Sequence, residues 1–327
     1  MKKGMLLIMT IVLGLTLAAC GAKNSTSGTN DATTGAGTNT NAATDNKPAN
    51  EPPADNTKAL EGSILAVGSS ALQPLVEQAS VKFMDLPEYS KITVLVQGGG
   101  SGTGLTQVAE GQSDIGNSDI FAQEKFKDDE ASKAEDLVDH QVGVVAMAAV
   151  VNPAIGVEDL TKQQLVDIFT GKATNWSEFG GADQKITIIN RPASSGTRKT
   201  FETYALSTST EDLPGSIQEE SSGTVRKLVA ETPGAIGYLA LSYLDDSIKV
   251  VKYEGVEANE ENVVNGTYPI WAYQHMYTKG EPSEVVKAFL DFMLSDEVQN
   301  NDVVELGYIP ASKMQITRDV NGQVTNK

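Results

Sequence analysis

The apolar positions between residues 62 and 294 fall into short runs separated by breakers, and the spacing of those runs predicts the elements. Ser63–Val67 is a compact apolar run ending at Gly68, which by length and flanks is a strand. Helical spacing follows over Ala71–Met84. Lys91–Val96 alternates branched apolar residues as a strand and is stopped by Gly98-Gly99-Gly100. A helix over Gly102–Glu110 and a short strand over Asp114–Ser118 come next. Val142–Val151 carries no charge and reads as a buried strand. The pattern restarts after Asn152-Pro153. It predicts helices over Asp159–Phe169, Ser195–Leu206, Thr224–Ala230 and Pro282–Leu294. The last of these has Val285, Val286, Phe289, Leu290 and Met293 on one face. Strands are predicted over Lys185–Asn190, Ala235–Leu239, Ile248–Tyr253 and Pro269–Tyr277. Strands alternating with helices indicate an α/β fold.

The first 61 residues follow another pattern. Lys2 and Lys3 precede an apolar stretch, Met5–Leu17, too short to span a bilayer comfortably, and Leu17-Ala18-Ala19-Cys20 follows. This resembles a bacterial lipobox. It predicts a signal segment over 1–19 and lipidation at Cys20 (a palmitate-type anchor), the chain's sole cysteine. Two acyl chains on that residue give stable anchoring where one is marginal. Gly21–Ala59 holds no aromatic and no large aliphatic residue, so it cannot bury enough apolar surface to offset chain entropy. Residues 20–61 are therefore expected to be the anchor and a flexible tether. The expected location is the extracytoplasmic face of the cell membrane, in an envelope without an enclosing outer membrane.

The length of 327 residues fits one large or two smaller globular units. The formal net charge is −18, and removing 1–19 takes away Lys2, Lys3 and no acid, giving −20. Such an excess of acid argues against nucleic acid as a partner. One cysteine precludes an intrachain disulfide, and His140 and His275 are too far apart in sequence for a zinc-binding His pair on one helix turn. No cofactor is expected.

Three predicted strand ends carry the same chemistry: Gly68-Ser69-Ser70-Ala71-Leu72, Gln97-Gly98-Gly99-Gly100-Ser101-Gly102-Thr103-Gly104, and Asn190-Arg191-Pro192-Ala193-Ser194-Ser195-Gly196-Thr197-Arg198. Each follows a strand and opens a helix. Helix N-termini present unpaired N–H groups and positive dipole ends, which together favour anions. Ser and Thr hydroxyls add donors, and Arg191 adds a planar charged fork. Any one such turn is ordinarily a helix cap; three in one chain suggest an anion site. No Gly-Lys-Ser/Thr follows the glycines, and Leu105 breaks the dinucleotide fingerprint. A fourth segment, Asp114-Ile115-Gly116-Asn117-Ser118-Asp119, adds a carboxylate. Taken alone, Asp119 could be a helix cap or a surface acid. Beside an anion it makes sense only if the ligand still carries a proton, since ionised Asp accepts hydrogen bonds and cannot donate them.

At these residues the sequence resembles the phosphate-binding protein family of the phosphate-specific ABC importers. The ordered motifs are the Gly-Ser turn at 68–72, Gln-Gly-x-Gly-Ser at 97–101, Gly-x-Ser-Asp at 116–119 and Arg-x-x-x-Ser-Gly-Thr at 191–197. Thr170–Trp176 and Pro233–Tyr238 resemble further family segments, so the likeness spans about residues 62 to 312. It implies a two-lobed fold of the periplasmic-binding-protein type II class with ligand in the interlobe cleft. Residues 62–148 with 252–327 would form one lobe and 149–251 the other, with crossings near Ala149 and Val251. It implies ligand roles for Ser70, the Ala71 N–H, Ser101, Asp119 as proton acceptor, Arg191, Ser195, Gly196 and Thr197. It implies capture of inorganic phosphate without catalysis, and delivery to an ABC permease. Two positions depart from the pattern: Ala71 replaces a bulkier aromatic, and Ala193 stands where an acid supports the arginine. The alternatives are a binder of sulfate or molybdate, which Asp119 disfavours, an enzyme, and a surface protein that kept the fold. An enzyme is disfavoured by two scattered histidines, no Gly-x-Ser-x-Gly elbow and no clustered metal ligands.

Overall fold

The computed structural model describes residues 60–327 apart from 211 and 214. The signal segment, Cys20 and the tether through Ala59 lie outside the described residues. In chain order the elements are β1 (Gly62–Gly68), α1 (Gln73–Asp85), β2 (Ile92–Gln97), α2 (Ser101–Ala109), β3 (Ile115–Ser118), α3 (Ala122–Lys125), α4 (Ala131–Glu135) and β4 (Leu137–Val151). Then follow β5 (Asp159–Leu160), α5 (Lys162–Phe169), β6 (Thr187–Asn190), α6 (Gly196–Phe201), β7 (Ile217–Gln218), α7 (Ser222–Glu231) and β8 (Ala235–Ala240). The chain ends with β9 (Lys249–Val250), β10 (Lys252–Tyr253), α8 (Glu260–Val264), β11 (Trp271–Lys279), α9 (Glu284–Met293), α10 (Val303–Glu305), β12 (Ile316–Arg318) and β13 (Val324–Asn326).

The main sheet runs in the order β2-β1-β3-β11-β4-β8-β6-β7. β1 pairs in parallel with both β2 and β3. β6 pairs in parallel with β7 and β8. The long strand β4 joins the two groups. It pairs antiparallel with β11 over Leu137–Ala146 and with β8 over Met147–Val151. Its apolar run is buried on both faces from Val142 onward, which is why it lacks alternation there. The predicted crossing residues touch: Val251 N–H donates to Ala149 O at 3.0 Å.

One buried apolar cluster runs through both halves, with aromatic contacts in each. In the first, Phe83 of α1 meets Phe289 of α9 at 5.2 Å between ring centroids. In the second, Phe201 stacks on Tyr238 at 4.4 Å, with Phe169 at the edge of both. The three Gly/Ser turns sit at the C-terminal ends of the parallel strands β1, β2 and β6, where open α/β sheets place ligands.

Most element boundaries shift by one or two residues, and four elements depart further from the sequence expectation. β4 starts at Leu137, five residues early, because polar Asp139, His140 and Gln141 continue its pairing with β11. The helix predicted from Asp159 begins at Lys162. Thr161 caps it by accepting from Gln164 N–H at 3.2 Å, while the Gln164 side chain accepts from Thr161 N–H at 2.8 Å, a capping box that frees Asp159–Leu160 to pair with β10. The strand predicted over 248–253 is two pieces, because β9 pairs with β4 and β10 with β5. The helix predicted over 195–206 ends in a π-helical turn over Glu202–Leu206. The terminal hairpin β12–β13 was not anticipated, since Ile316–Arg318 is too short to carry a period.

Candidate functional site

The first wall of the site is built by β1 and β3. Beyond Gly68 the Ser69 hydroxyl accepts from the Ala71 and Leu72 N–H groups, both at 3.1 Å, and so shapes the entry to α1. The same hydroxyl donates to Asp119 Oδ1. Asp119 lies just past β3, and its N–H donates to Ser101 Oγ, at the start of α2, at 2.9 Å. The three segments of the first half are thereby tied together at one point.

The second wall comes from β6, α6 and α7. Ser195 caps α6 by accepting from Arg198 N–H at 3.2 Å. Thr197 Oγ1 donates to Asp119 Oδ2 at 3.1 Å, so the carboxylate takes one hydroxyl from each half. Gly102 N–H donates to Ser194 O at 2.9 Å, a main-chain bond between the same two walls. Two glycines make this approach possible. Gly100 has φ +82°, and a Cβ there would lie 2.7 Å from Ser194 O. A Cβ on Gly196 would lie 2.1 Å from Ser101 Oγ and 2.7 Å from Ser101 Cβ.

Arg191 is the buried cation of the cluster. One guanidinium nitrogen, Nη2, donates to Ser70 Oγ at 2.9 Å and to Glu220 O, and Nη1 donates to Ser222 Oγ at 3.3 Å. Glu220 Oε1 lies 3.8 Å from Nη2. The main chain at Arg191 is fixed as well. Its N–H donates to Asn190 Oδ1 at 2.9 Å, which also accepts from the Tyr238 hydroxyl at 2.6 Å, and Arg198 Nη1 donates to Arg191 O at 2.8 Å. Arg191 Nε is buried with no hydrogen-bond partner among the described residues.

All eight residues named from sequence lie in this one buried cluster. Ser70, Ala71, Ser101, Asp119, Arg191, Ser195 and Thr197 are at most 4% exposed, and Gly196 is buried. The Ala71 N–H, expected to face ligand, is engaged by Ser69. Sequence reasoning did not assign Ser69, Glu220 or Ser222. Ser222 carried a usable signal, because Ser221-Ser222-Gly223-Thr224 is a fourth Gly/Ser turn opening a helix. Glu220 carried none. Ala193 leaves Arg191 without a nearby acid in sequence, and Glu220 supplies one from 29 residues away.

Burial sets the protonation energetics. It pushes the Asp119 carboxyl above its ordinary value, against the pull of Ser69, Thr197, Gln274 and Arg191. Burial raises Glu220 too, against Arg191 and the Gly99 N–H. It lowers Arg191, whose partial compensation comes from the Tyr238 oxygen, Glu220 and Asp119. A buried cation and a buried acceptor thus share one cluster of hydroxyls. Such a site suits an oxyanion that can both accept from Arg191 and donate to Asp119.

Among the described residues no cluster of His, Cys, Asp or Glu could hold a metal ion, and no helix is long and apolar enough to cross a membrane.

The match to known proteins bears on this geometry. The family model described as a PBP superfamily domain matches residues 24–297. The chain is 53% identical over 282 residues to phosphate-binding protein PstS of Bacillus subtilis, covering 86% of this chain and 91% of that protein.

The chain belongs to the PstS family.

PstS of Pseudomonas aeruginosa is 28% identical over 278 residues, 77% of this chain and 84% of its own length. Among solved structures, a Clostridium perfringens protein described as a phosphate ABC transporter substrate-binding protein with bound phosphate superposes with TM-score 0.69 at 32% identity. It covers 76% of this chain and 100% of its own. An ABC-type phosphate transport receptor of Vibrio cholerae superposes with TM-score 0.60 at 27% identity, covering 75% and 99%. The match to a PBP superfamily domain fits the α/β class expected from the motifs, and in this chain the long β4 is shared by both halves of the main sheet.

Proposed function

We propose that the chain captures inorganic phosphate outside the membrane and delivers it to an ABC permease for import. Phosphate is bound and released unchanged, and ATP is hydrolysed elsewhere, by the permease complex. Ser70, Ser101, Ser195, Gly196 and Thr197 surround the ligand, with Arg191 as charge and Asp119 as proton acceptor, and the Ala71 N–H joins them only if it leaves the Ser69 hydroxyl. Residues 62–148 and 252–327 move as one lobe and 149–251 as the other, a hinge closure about β4 and the stretch near Val251. The handover of β4 from β11 to β8 at Ala146/Met147 supports that division. Cys20 holds the protein at the membrane through its lipid, and the segment after it acts as a tether.

One observation carries the reading: Asp119 and Arg191 belong to the same buried cluster of hydroxyls. Removing a divalent anion from water is costly unless nearly every oxygen is hydrogen-bonded, and this cluster offers Arg191 Nε with hydroxyls on both walls. Sulfate at neutral pH has no proton to give Asp119. A site left with an unpaired buried acceptor can discriminate by about 10⁴ in favourable cases.

The test is calorimetric titration of the chain with phosphate, sulfate, molybdate and a phosphate monoester. Phosphate alone should bind tightly. Equal binding of sulfate would overturn the proton-acceptor role. Silence with all four would favour a surface protein on the same fold.

A further inference from the structure

The C-terminal hairpin β12–β13 lies beyond the segment matched by the family model, which ends at residue 297. Its Arg318 is nevertheless one of the most deeply buried cations, 6% exposed. The guanidinium carbon sits 3.7 Å from the ring centre of Tyr204 and 3.9 Å from that of Trp271. Its nitrogens donate to Trp271 O and, at 2.8 Å, to Pro269 O. The two rings belong to different halves. Trp271 opens β11, which pairs with the first part of β4. Tyr204 lies on the π-helical turn after α6, in the half that stacks Phe201 on Tyr238. The hairpin turn also faces Tyr204, because a Cβ on Gly322 would lie 3.5 Å from its hydroxyl.

The same residues border the binding site. Tyr204, Trp271 and Arg318 line a small cavity whose remaining walls include Asp119 and Thr200. Glu124 and His275 also face it. We propose that Arg318 is a positioning residue for ligand retention: a clamp that grips Tyr204 of the second lobe against Trp271 of the first when the cleft is closed. The inference rests on the capture reading above.

The physical reason is differential contact. Hinge opening separates Tyr204 from Trp271 and Arg318, so the cation–π contact with Tyr204 is made in the closed form and lost on opening. The guanidinium bonds to Trp271 O and Pro269 O lie within one half and persist. An interaction made only in the closed state slows ligand escape and leaves encounter with the open state unchanged. Partly desolvated cation–π contacts are strong enough to change such a rate by about tenfold.

The test is stopped-flow measurement of phosphate association and release on the full chain. Arg318→Ala and Tyr204→Ala should each speed release by about tenfold with association unchanged. The double variant should release no faster than either single one, because both remove the same contact. Tyr204→Phe, which keeps the ring, should release as the wild type does. Tyr204 is only partly buried and lies outside the hairpin, so its variants test the clamp even where Arg318→Ala perturbs β12. Release within twofold of wild type in both alanine variants, or multiplicative effects in the double, would overturn the clamp. A wild-type chain that fails to bind phosphate would instead overturn the capture reading.

Discussion

Arg191 Nη2 lies 3.8 Å from Glu220 Oε1 and also donates to the Glu220 main-chain carbonyl. A buried guanidinium needs compensation, and at Ala193 the sequence offers none. The stretch leading into α7 supplies it, with Ser222 completing the grip. Glu220 contributes through two groups of different kinds, and they can be separated. Glu220→Gln keeps the carbonyl, so phosphate affinity should fall by about tenfold or less, in line with a single charge-assisted contact. Arg191→Ala removes the charge and its bonds to Ser70, Ser222 and the Glu220 carbonyl, and should cost at least about a hundredfold. Calorimetric titration of the two variants side by side checks the ordering. An equal loss in both would show that the carboxylate alone orients the arginine.

The folded chain holds the Asp119 proton more tightly than the unfolded chain, since burial raises this carboxyl above its ordinary 3.8. An acid shifted in that direction costs stability when ionised. The cost is absent below pH 3.8, grows as pH rises through the window above it, and is complete once the folded group is ionised. Asp119→Asn should therefore raise the ligand-free melting temperature at neutral pH and leave it unchanged in strong acid. The same variant should lose discrimination between phosphate and sulfate, a trade of stability against function. Thermal melts across pH, paired with titrations of both anions, check the two halves together. A ligand-free variant less stable than wild type at neutral pH would contradict the argument.

Gly196 faces Ser101 so closely that a methyl group would lie within 2.7 Å of Ser101 Cβ and 3.0 Å of Asp119 Cβ. Gly196 is not among the residues with positive φ, so alanine is tolerated by the backbone and acts on closure alone. Gly196→Ala should weaken phosphate binding by about a hundredfold, the scale of blocking a well-packed contact, with little change in ligand-free melting temperature. Small-angle scattering with and without phosphate gives a second measure: the variant should fail to compact. A variant that binds and compacts like wild type would mean the two walls separate further than this geometry allows.

Much of the site was legible because its chemistry is local. A strand end, a glycine that permits close approach and a Ser or Thr before a helix form one contiguous string, and three such strings held seven of the eight assigned residues. Asp119 was legible as an anomaly, an acid where an anion was expected. Ser69 stood inside a quoted turn yet lacked an assigned role, because its partner Asp119 is 50 positions away. Glu220 could not be found, since it meets Arg191 only because β7 pairs with β6 just before α7. The early start of β4 was hidden by Asp139 and His140, whose polarity imitates a loop. In the fold, Asp139 accepts a hydrogen bond from buried His275 at 2.9 Å, which gives that polarity a partner inside the sheet.

The sequence by itself determined the alternation of strands and helices, the positions of the turns and the kinds of group those turns carry, because periodicity, capping and glycine conformation act over a few residues. The tertiary structure alone decided that Asp119 accepts from Ser69 on one side and Thr197 on the other, that Glu220 stands beside Arg191, and that Arg318 lies between Tyr204 and Trp271. Those contacts join segments 29 to 114 residues apart. They depend on the sheet order and on how closely two walls approach, and these are set by the packing of the whole chain.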